Sequence, residues 1–185
     1  MSTNYNVKEL PTQEFLLECF DYNPETGILI WKERPLYHFC RDNIGRMCNT
    51  NHTGKLAGTV TSRGYVALRF GKVIYLAHRI IWKLYYGVDP VKLIDHINGI
   101  KDDNRICNLR EATHLENNMN ITKVSRRNTS GHTGVSFCDK THKWRVVIRV
   151  DGEKKHIGIY LTKEEAIKAR LEAASKYFGE FCGEK

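Results

Sequence analysis

Apolar and polar positions change their spacing several times along the chain, and each change predicts an element. "PTQEFLLECF" (11–20) carries a short amphipathic helical pattern behind Pro11. "DYNPETGILIWKERP" reads as a turn at Asn23-Pro24 and Thr26-Gly27 followed by a strand. Residues 36–53 are polar and aperiodic, which predicts an irregular segment. "GKLAGTVTSRGYVALRFGKVIYLAHR" holds short β-rich runs broken at Arg63-Gly64 and Gly71-Lys72, the pattern of a small antiparallel sheet. "AHRIIWKLYYG" switches to helical spacing, with Ile80, Ile81, Leu84 and Tyr85 as the expected buried face and Gly87 as the stop. A strand at 93–97, a loop at 98–108, a strand at 109–113 and a helix start at 114–120 complete a β-loop-β-helix unit.

The rest of the chain has a different texture. "ITKVSRRNTS" (121–130) lacks apolar periodicity and reads as a basic linker. In "KWRVVIRV", Trp144, Val146, Ile148 and Val150 alternate with Arg145, Val147 and Arg149, a half-buried strand with arginines on its other face. Asp151-Gly152 is a hairpin turn signal. Thr162 and Glu165 form a capping box, Gly179 supplies a stop, and Ile167, Leu171, Ala174 and Phe178 are expected against the sheet. The tail is therefore three strands and one helix, and the whole chain is α+β.

Composition sharpens this picture. With 185 residues and 41% apolar content, the chain has enough apolar material for a core and is not a disordered polymer. The net charge of +8 is uneven: residues 1–120 carry 15 Lys and Arg against 13 Asp and Glu, whereas 121–158 carry 9 against 3. Basic character concentrated in the C-terminal third points to a phosphate-contacting module. Six cysteines, none in a CxxC pair, do not make a stapled secreted fold. The N-terminus has no apolar signal core and no run is long enough for a bilayer, so the expected setting is a reducing cytoplasm with no membrane partner.

The chemistry concentrates in "LIDHINGIKDDNRICNLREATHLENN" (93–118). Hydrolysing a phosphodiester needs a base for water and a cation for the charge that develops on the phosphate and leaving oxygen. Asp95 and His96 are adjacent in a strand and alternate in direction, so one can face a metal and the other a water. A hard cation such as Mg2+ or Mn2+ takes few protein oxygens, and Asn117 on the following helix can add one to Asp95. Asn108, at the loop's end, can hydrogen-bond across it. The competing reading is a long polar turn built from Asn, Asp and Gly.

These residues resemble the HNH nuclease motif, in the variant of phage homing-type endonucleases. "ETGILIWK", "GKLAGTVTSRGYVALRF", "YLAHRIIWKLYYG" and "NLREATHLENN" follow the order found in free-standing phage HNH proteins. The resemblance implies a ββα-metal (His-Me finger) fold, with Asp95 as metal ligand, His96 as general base, Asn108 as the asparagine that fixes the loop and Asn117 as second metal ligand, with Asn118 as the fallback in a register one residue on. The tail, from "SGHTGVSF" to "KYFGEF", is similar to the DNA-binding domain of plant ethylene-response factors, which implies a three-stranded sheet laid in the major groove of duplex DNA. Arg149 matches a base-reading position. Lys154, His156 and Ser136 stand where the plant proteins use other residues, and Arg145 shares the face of Arg149. Arg126 and Arg127 in the linker are expected on phosphate.

The expected architecture is an HNH domain over 1–120 (small sheet 21–76, ββα-metal core 77–120), a basic linker over 121–130 and a DNA-binding domain over 131–182. The expected activity is metal-dependent endonucleolytic cleavage of double-stranded DNA by a monomer or weak dimer, without a small-molecule cofactor. The alternatives are a catalytically inactive DNA-binding regulator and an RNA-directed nuclease. His38, Cys40, Cys48 and His52 have unusual spacing for zinc and are expected as loop residues. His78 is expected to pack rather than catalyse, Arg79 to meet a phosphate, and His114 to sit at a helix start. Trp31, Trp82 and Trp144 are expected in the core.

Overall fold

The computed structural model describes residues 9–70, 72–120 and 128–179. It divides into two compact units, Met1–Glu111 and Ala112–Lys185. Arg126 and Arg127 lie outside the described residues.

In the first unit, α1 (Gln13–Cys19) starts at Thr12, whose hydroxyl accepts from the Phe15 amide at 3.3 Å. This satisfies one of the amides that a helix start leaves open. β1 (Phe20–Asn23) and β2 (Ile28–Trp31) form an antiparallel hairpin. Its turn is tied by Asn23 Oδ1, which accepts from the amides of Glu25 and Thr26, and by Gly27 at φ +73°. α2 (Asp42–His52) follows, then the sheet β3 (Thr59–Val60), β4 (Val66–Phe70) and β5 (Val73–Leu76) in that order. α3 (Ala77–Tyr86) continues from β5 and stops at Gly87, at φ +76°. β6 (Leu93–His96) pairs with β7 (Leu109–Ala112).

Leu16, Phe20, Leu29, Trp31, Leu68, Ile80, Ile81, Ile94 and Leu109 share one core. Ile94 and Leu109 flank the polar stretch of interest, so the core grips both strands that carry it.

Two expectations fail in this unit. Residues 42–52 are a helix, not an irregular segment. Its contact face is made by Gly45, where a Cβ would stand 2.8 Å from the Phe39 ring, and by Asn49, which both donates to and accepts from the Arg34 backbone. Contacts of that kind leave no apolar period to read. Tyr85 is exposed, while Ala77, His78 and Lys83 join the buried side of α3. Lys83 is buried with its ammonium paired with Asp89 at 3.0 Å.

The second unit holds α4 (His114–Met119), β8 (Val135–Cys138), β9 (Lys143–Val150), β10 (Glu153–Tyr160) and α5 (Lys163–Phe178). The sheet order is β10-β9-β8, all antiparallel. Asp151 at φ +52° and Gly152 at φ +84° make the tight β9–β10 turn. α5 opens on the Thr162/Glu165 capping box. Ala166, Ala173 and Ala174 form its buried stripe with Arg170, whereas Ile167 and Leu171 are only half-buried. Small residues let the helix lie close to the sheet, and the larger ones flank that line. Trp31 is buried, while Trp82 and Trp144 are half-buried. No helix among the described residues is long and apolar enough to cross a membrane.

Ile80 is fully buried at the centre of the first core. Its replacement by Ala is expected to lower unfolding free energy by about 2–5 kcal/mol. Urea titration measures this, and a loss under about 1 kcal/mol contradicts the packing described.

Candidate functional site

The polar stretch between β6 and β7 is wired as a closed loop. Asn108 is buried, and its Oδ1 accepts from the Asn98 amide at 3.0 Å while its Nδ2 donates to the Asp103 carbonyl at 2.8 Å. The Asn108 carbonyl accepts from the Ile97 amide at 2.9 Å. One side chain thus joins the loop's start, its tip and its end. Asn98 Nδ2 donates to Asp103 Oδ2 at 2.7 Å, and Asn98 Oδ1 accepts from the Ile100 amide. Arg105 chelates the Asp103 carboxylate with Nε and Nη2 at 2.8 and 2.6 Å. Those hydrogen bonds hold the Asp103 carboxyl down at about 2. Gly99, at φ +72°, turns the chain so that its amide donates to the His96 carbonyl at 2.8 Å.

Asp95 and His96 end β6 just before this loop, and both are about 95% shielded from solvent. Two guanidinium nitrogens of Arg110, on β7, approach Asp95 Oδ2 at 3.0 and 2.9 Å. His96 Nε2 lies 3.2 Å from Asn104 Oδ1, and Asn104 is buried too. The His78 ring meets His96 edge-on at 5.1 Å, and Tyr65 stands against both rings. Burial lowers the His96 pKa, opposed by the Asn104 hydrogen bond and by Asp95. Burial pushes His78 down to about 3, with the charges of His96 and Arg79 adding to it. Both imidazoles are therefore neutral near pH 7, and a neutral imidazole keeps one nitrogen lone pair available for a proton.

The structure brings Asp95, His96 and Asn108 together in the first unit. Asn117 falls in the second, on α4, half-buried, with Asn118 beside it exposed. α4 itself starts on a capping box between Thr113 and Glu116, and His114 is an exposed first-turn residue. His38 has other partners than the cysteines at 40 and 48: its Nδ1 lies 3.6 Å from Cys19 Sγ, its Nε2 pairs with Glu18 at 2.6 Å, and its ring stacks on Phe15 at 4.3 Å. His52 instead lies near Trp31. Among the described residues no three His, Cys, Asp or Glu side chains cluster around a common point. The Asp95 carboxylate is an oxygen donor, which suits a hard divalent cation rather than a thiophilic one.

Sequence reasoning missed Asn104, Arg110 and Tyr22. Nothing in its spacing separates Asn104 from the other loop asparagines. Its burial comes from Tyr22, 82 positions earlier, whose hydroxyl donates to the Asn104 carbonyl at 2.9 Å. Arg110 carried a readable signal, since it follows the loop by two residues on a paired strand and a buried carboxylate requires a cation.

On the second unit, Ser136 pairs with Arg145, Lys154 with Arg149 and His156 with Val147 across the sheet. Ser136, Arg145, Arg149, Lys154 and His156 therefore share the face opposite the buried Val146, Ile148 and Val150. Arg145, Arg149, Lys154 and His156 are exposed. A bulge between His156 and Gly158 then shifts the β10 register, placing Ile159 opposite Arg145.

The sequence of this segment has counterparts among known proteins. Residues 75–119, from β5 through α4, match the HNH endonuclease family. A curated phage relative, Protein 3.8 of Escherichia phage T7, is 33% identical over 78 residues, which is 42% of this chain and 64% of that protein. The chain thus spans less than two thirds of that relative's length. No solved structure matches.

Two predictions follow from the site's geometry. His78 has a folded pKa below its unfolded value near 6.5, so it stabilises the fold fully above that pH and loses the contribution as pH falls toward 3. Between about pH 7 and pH 5 the folded protein should lose on the order of 2 kcal/mol from this group alone. His78→Phe should flatten that slope in urea titrations, and an unchanged slope contradicts the assignment. Asn108→Ala strips three segments of their shared partner. It should destabilise the first unit by about 2–4 kcal/mol, read by faster amide exchange at 97–108.

Proposed function

We propose that this protein is a divalent-metal-dependent, homing-type endonuclease that hydrolyses phosphodiester bonds of double-stranded DNA, giving a nick or a double-strand break. The observation that carries this reading is the pair of buried neighbours Asp95 and His96 at the mouth of a loop closed by Asn108, inside the segment that matches the HNH endonuclease family.

His96 is the general base. Neutral in its buried setting, it takes a proton from the attacking water. Asn108 keeps the loop closed so that the imidazole stays in place. Asp95 supplies the carboxylate for a Mg2+ or Mn2+ ion, and the motif assigns Asn117 the second oxygen. When bound, the cation stabilises charge on the scissile phosphate and its leaving oxygen. The open face of β8–β10, with Arg145, Arg149, Lys154, His156 and Ser136, docks on duplex DNA in the manner of ethylene-response-factor domains. Arg149 and Arg145 are the candidates for base edges, and Arg126 and Arg127 for phosphates.

A second reading has one observation behind it. Arg110 neutralises the carboxylate that would hold the cation, which is what a DNA-binding regulator derived from a nuclease would tolerate.

Metal dependence separates the two. Supercoiled plasmid incubated with the full chain should become nicked or linear in Mg2+ or Mn2+ and stay supercoiled in EDTA. Binding without cleavage in either metal, on DNA that carries the bound site, supports the regulator. Cleavage of matched RNA duplexes but not DNA overturns the substrate assignment. Arg149→Ala should weaken DNA binding by about 1–3 kcal/mol if it reads a base. A gel shift measures this, and an unchanged affinity removes Arg149 from the interface.

A further inference from the structure

The β3–β4 turn lies outside the segment that matches the HNH endonuclease family, and the proposed chemistry gives it no role. It is closed by the Gly64 amide on the Thr61 carbonyl and by the Thr61 amide on the Tyr65 carbonyl, both at 2.8 Å. The turn forms a seat for one side chain of the 97–108 loop. The Lys101 stem lies over Gly64, where a Cβ would stand 3.7 Å from Lys101 Cδ. The Lys101 ammonium donates to the Arg63 carbonyl at 3.2 Å. It also stands over the Tyr65 ring, 4.5 Å from the centroid. Tyr65 in turn stands against His96, with 6.0 Å between ring centroids. One aromatic ring thus separates a seated cation from the histidine of the site.

The seat meets only part of what an ammonium needs. A lysine carries three N–H donors and a full charge. The Arg63 carbonyl takes one donor, and the ring face steadies the charge. The nearby Asp103 carboxylate is taken by Arg105 and Asn98. Among the described residues no carboxylate lies within ion-pair distance of Lys101. A pin for the loop needs one donor and no charge, so the charge calls for another partner. Lys101 is only half-buried, so an anion from solvent can reach it, and the exposed Arg63 side chain leaves the same turn. We propose that Lys101, seated on the β3–β4 turn, binds a backbone phosphate of the DNA strand presented to His96. This rests on the reading of Asp95 and His96 as a site that cleaves DNA. An ammonium already held in place loses little freedom on binding, so the contact sets the register of the strand as well as attracting it.

The test is binding of a short random-sequence DNA duplex by the full chain in EDTA over a series of salt concentrations. Each phosphate neutralised by a cationic side chain contributes about 0.9 to the slope of log affinity against log salt. Lys101→Met keeps the stem and drops the charge, and should lower that slope by about 1. Lys101→Arg keeps the charge and should keep the slope. A slope unchanged in Lys101→Met overturns the proposal, because a side chain that only pins the loop would leave it as it was. Carbon NMR of lysine-labelled wild type reads the same contact without a neutral variant. The Lys101 ε-carbon signal, assigned with Lys101→Arg, should move when duplex is added, and a signal that stays in place overturns the proposal. In Mg2+, Lys101→Met should slow single-turnover cleavage of saturating DNA about 10- to 100-fold. A wild-type rate alongside a lowered slope takes the phosphate away from His96 and overturns its placement. If the slope falls as stated but neither protein cleaves in metal, the nuclease reading fails while the phosphate contact stands.

Discussion

The loop from 97 to 108 closes on a single buried carboxamide, and the site depends on that closure. Asn108 has two donors and an acceptor to satisfy in a place shielded from water. Its oxygen accepts from Asn98 near the loop's start, and its nitrogen donates to Asp103 at the tip. A buried polar group that loses its partners is costly, so the closed state is strongly preferred over any slipped one. With the loop closed, Asp95 and His96 are presented at the end of a strand whose neighbours Ile94 and Leu109 are locked in the core. The remaining loop asparagines and aspartates then solve local problems: Asn98 caps the turn at Ile100, and Asp103 binds Arg105.

Electrostatics around this frame pull in two directions. Packing His96 against His78 and Tyr65 keeps the imidazole uncharged and ready to accept a proton. Placing Arg110 against Asp95 satisfies a buried carboxylate but competes with a bound cation for the same oxygen. Under the proposed function, a cation held by Asp95 would have to share that carboxylate with Arg110.

Much of the frame was legible from local patterns. The β-loop-β-helix order, the capping box at Thr162 and the turns at Gly87 and Gly152 depend on neighbours in the chain, and such signals are written in short stretches. The alternation in β9 placed Arg145 and Arg149 on one face for the same reason. What stayed hidden was long-range or made of small residues. α2 is held by Gly45 and Asn49, neither of which marks a hydrophobic period. The buried stripe of α5 is alanine, so larger neighbours drew the reading to Ile167 and Leu171. Asn104 is set apart from its neighbours only by a tyrosine from the far end of the unit.

The central claim is that His96 moves the proton in a cleavage reaction on DNA. The direct measurement is single-turnover cleavage of bound duplex DNA in Mg2+ by the full chain and by His96→Ala. The account predicts a rate loss of about 100- to 10,000-fold with DNA affinity unchanged. Equal rates in the two proteins would contradict it and move the base elsewhere in the molecule.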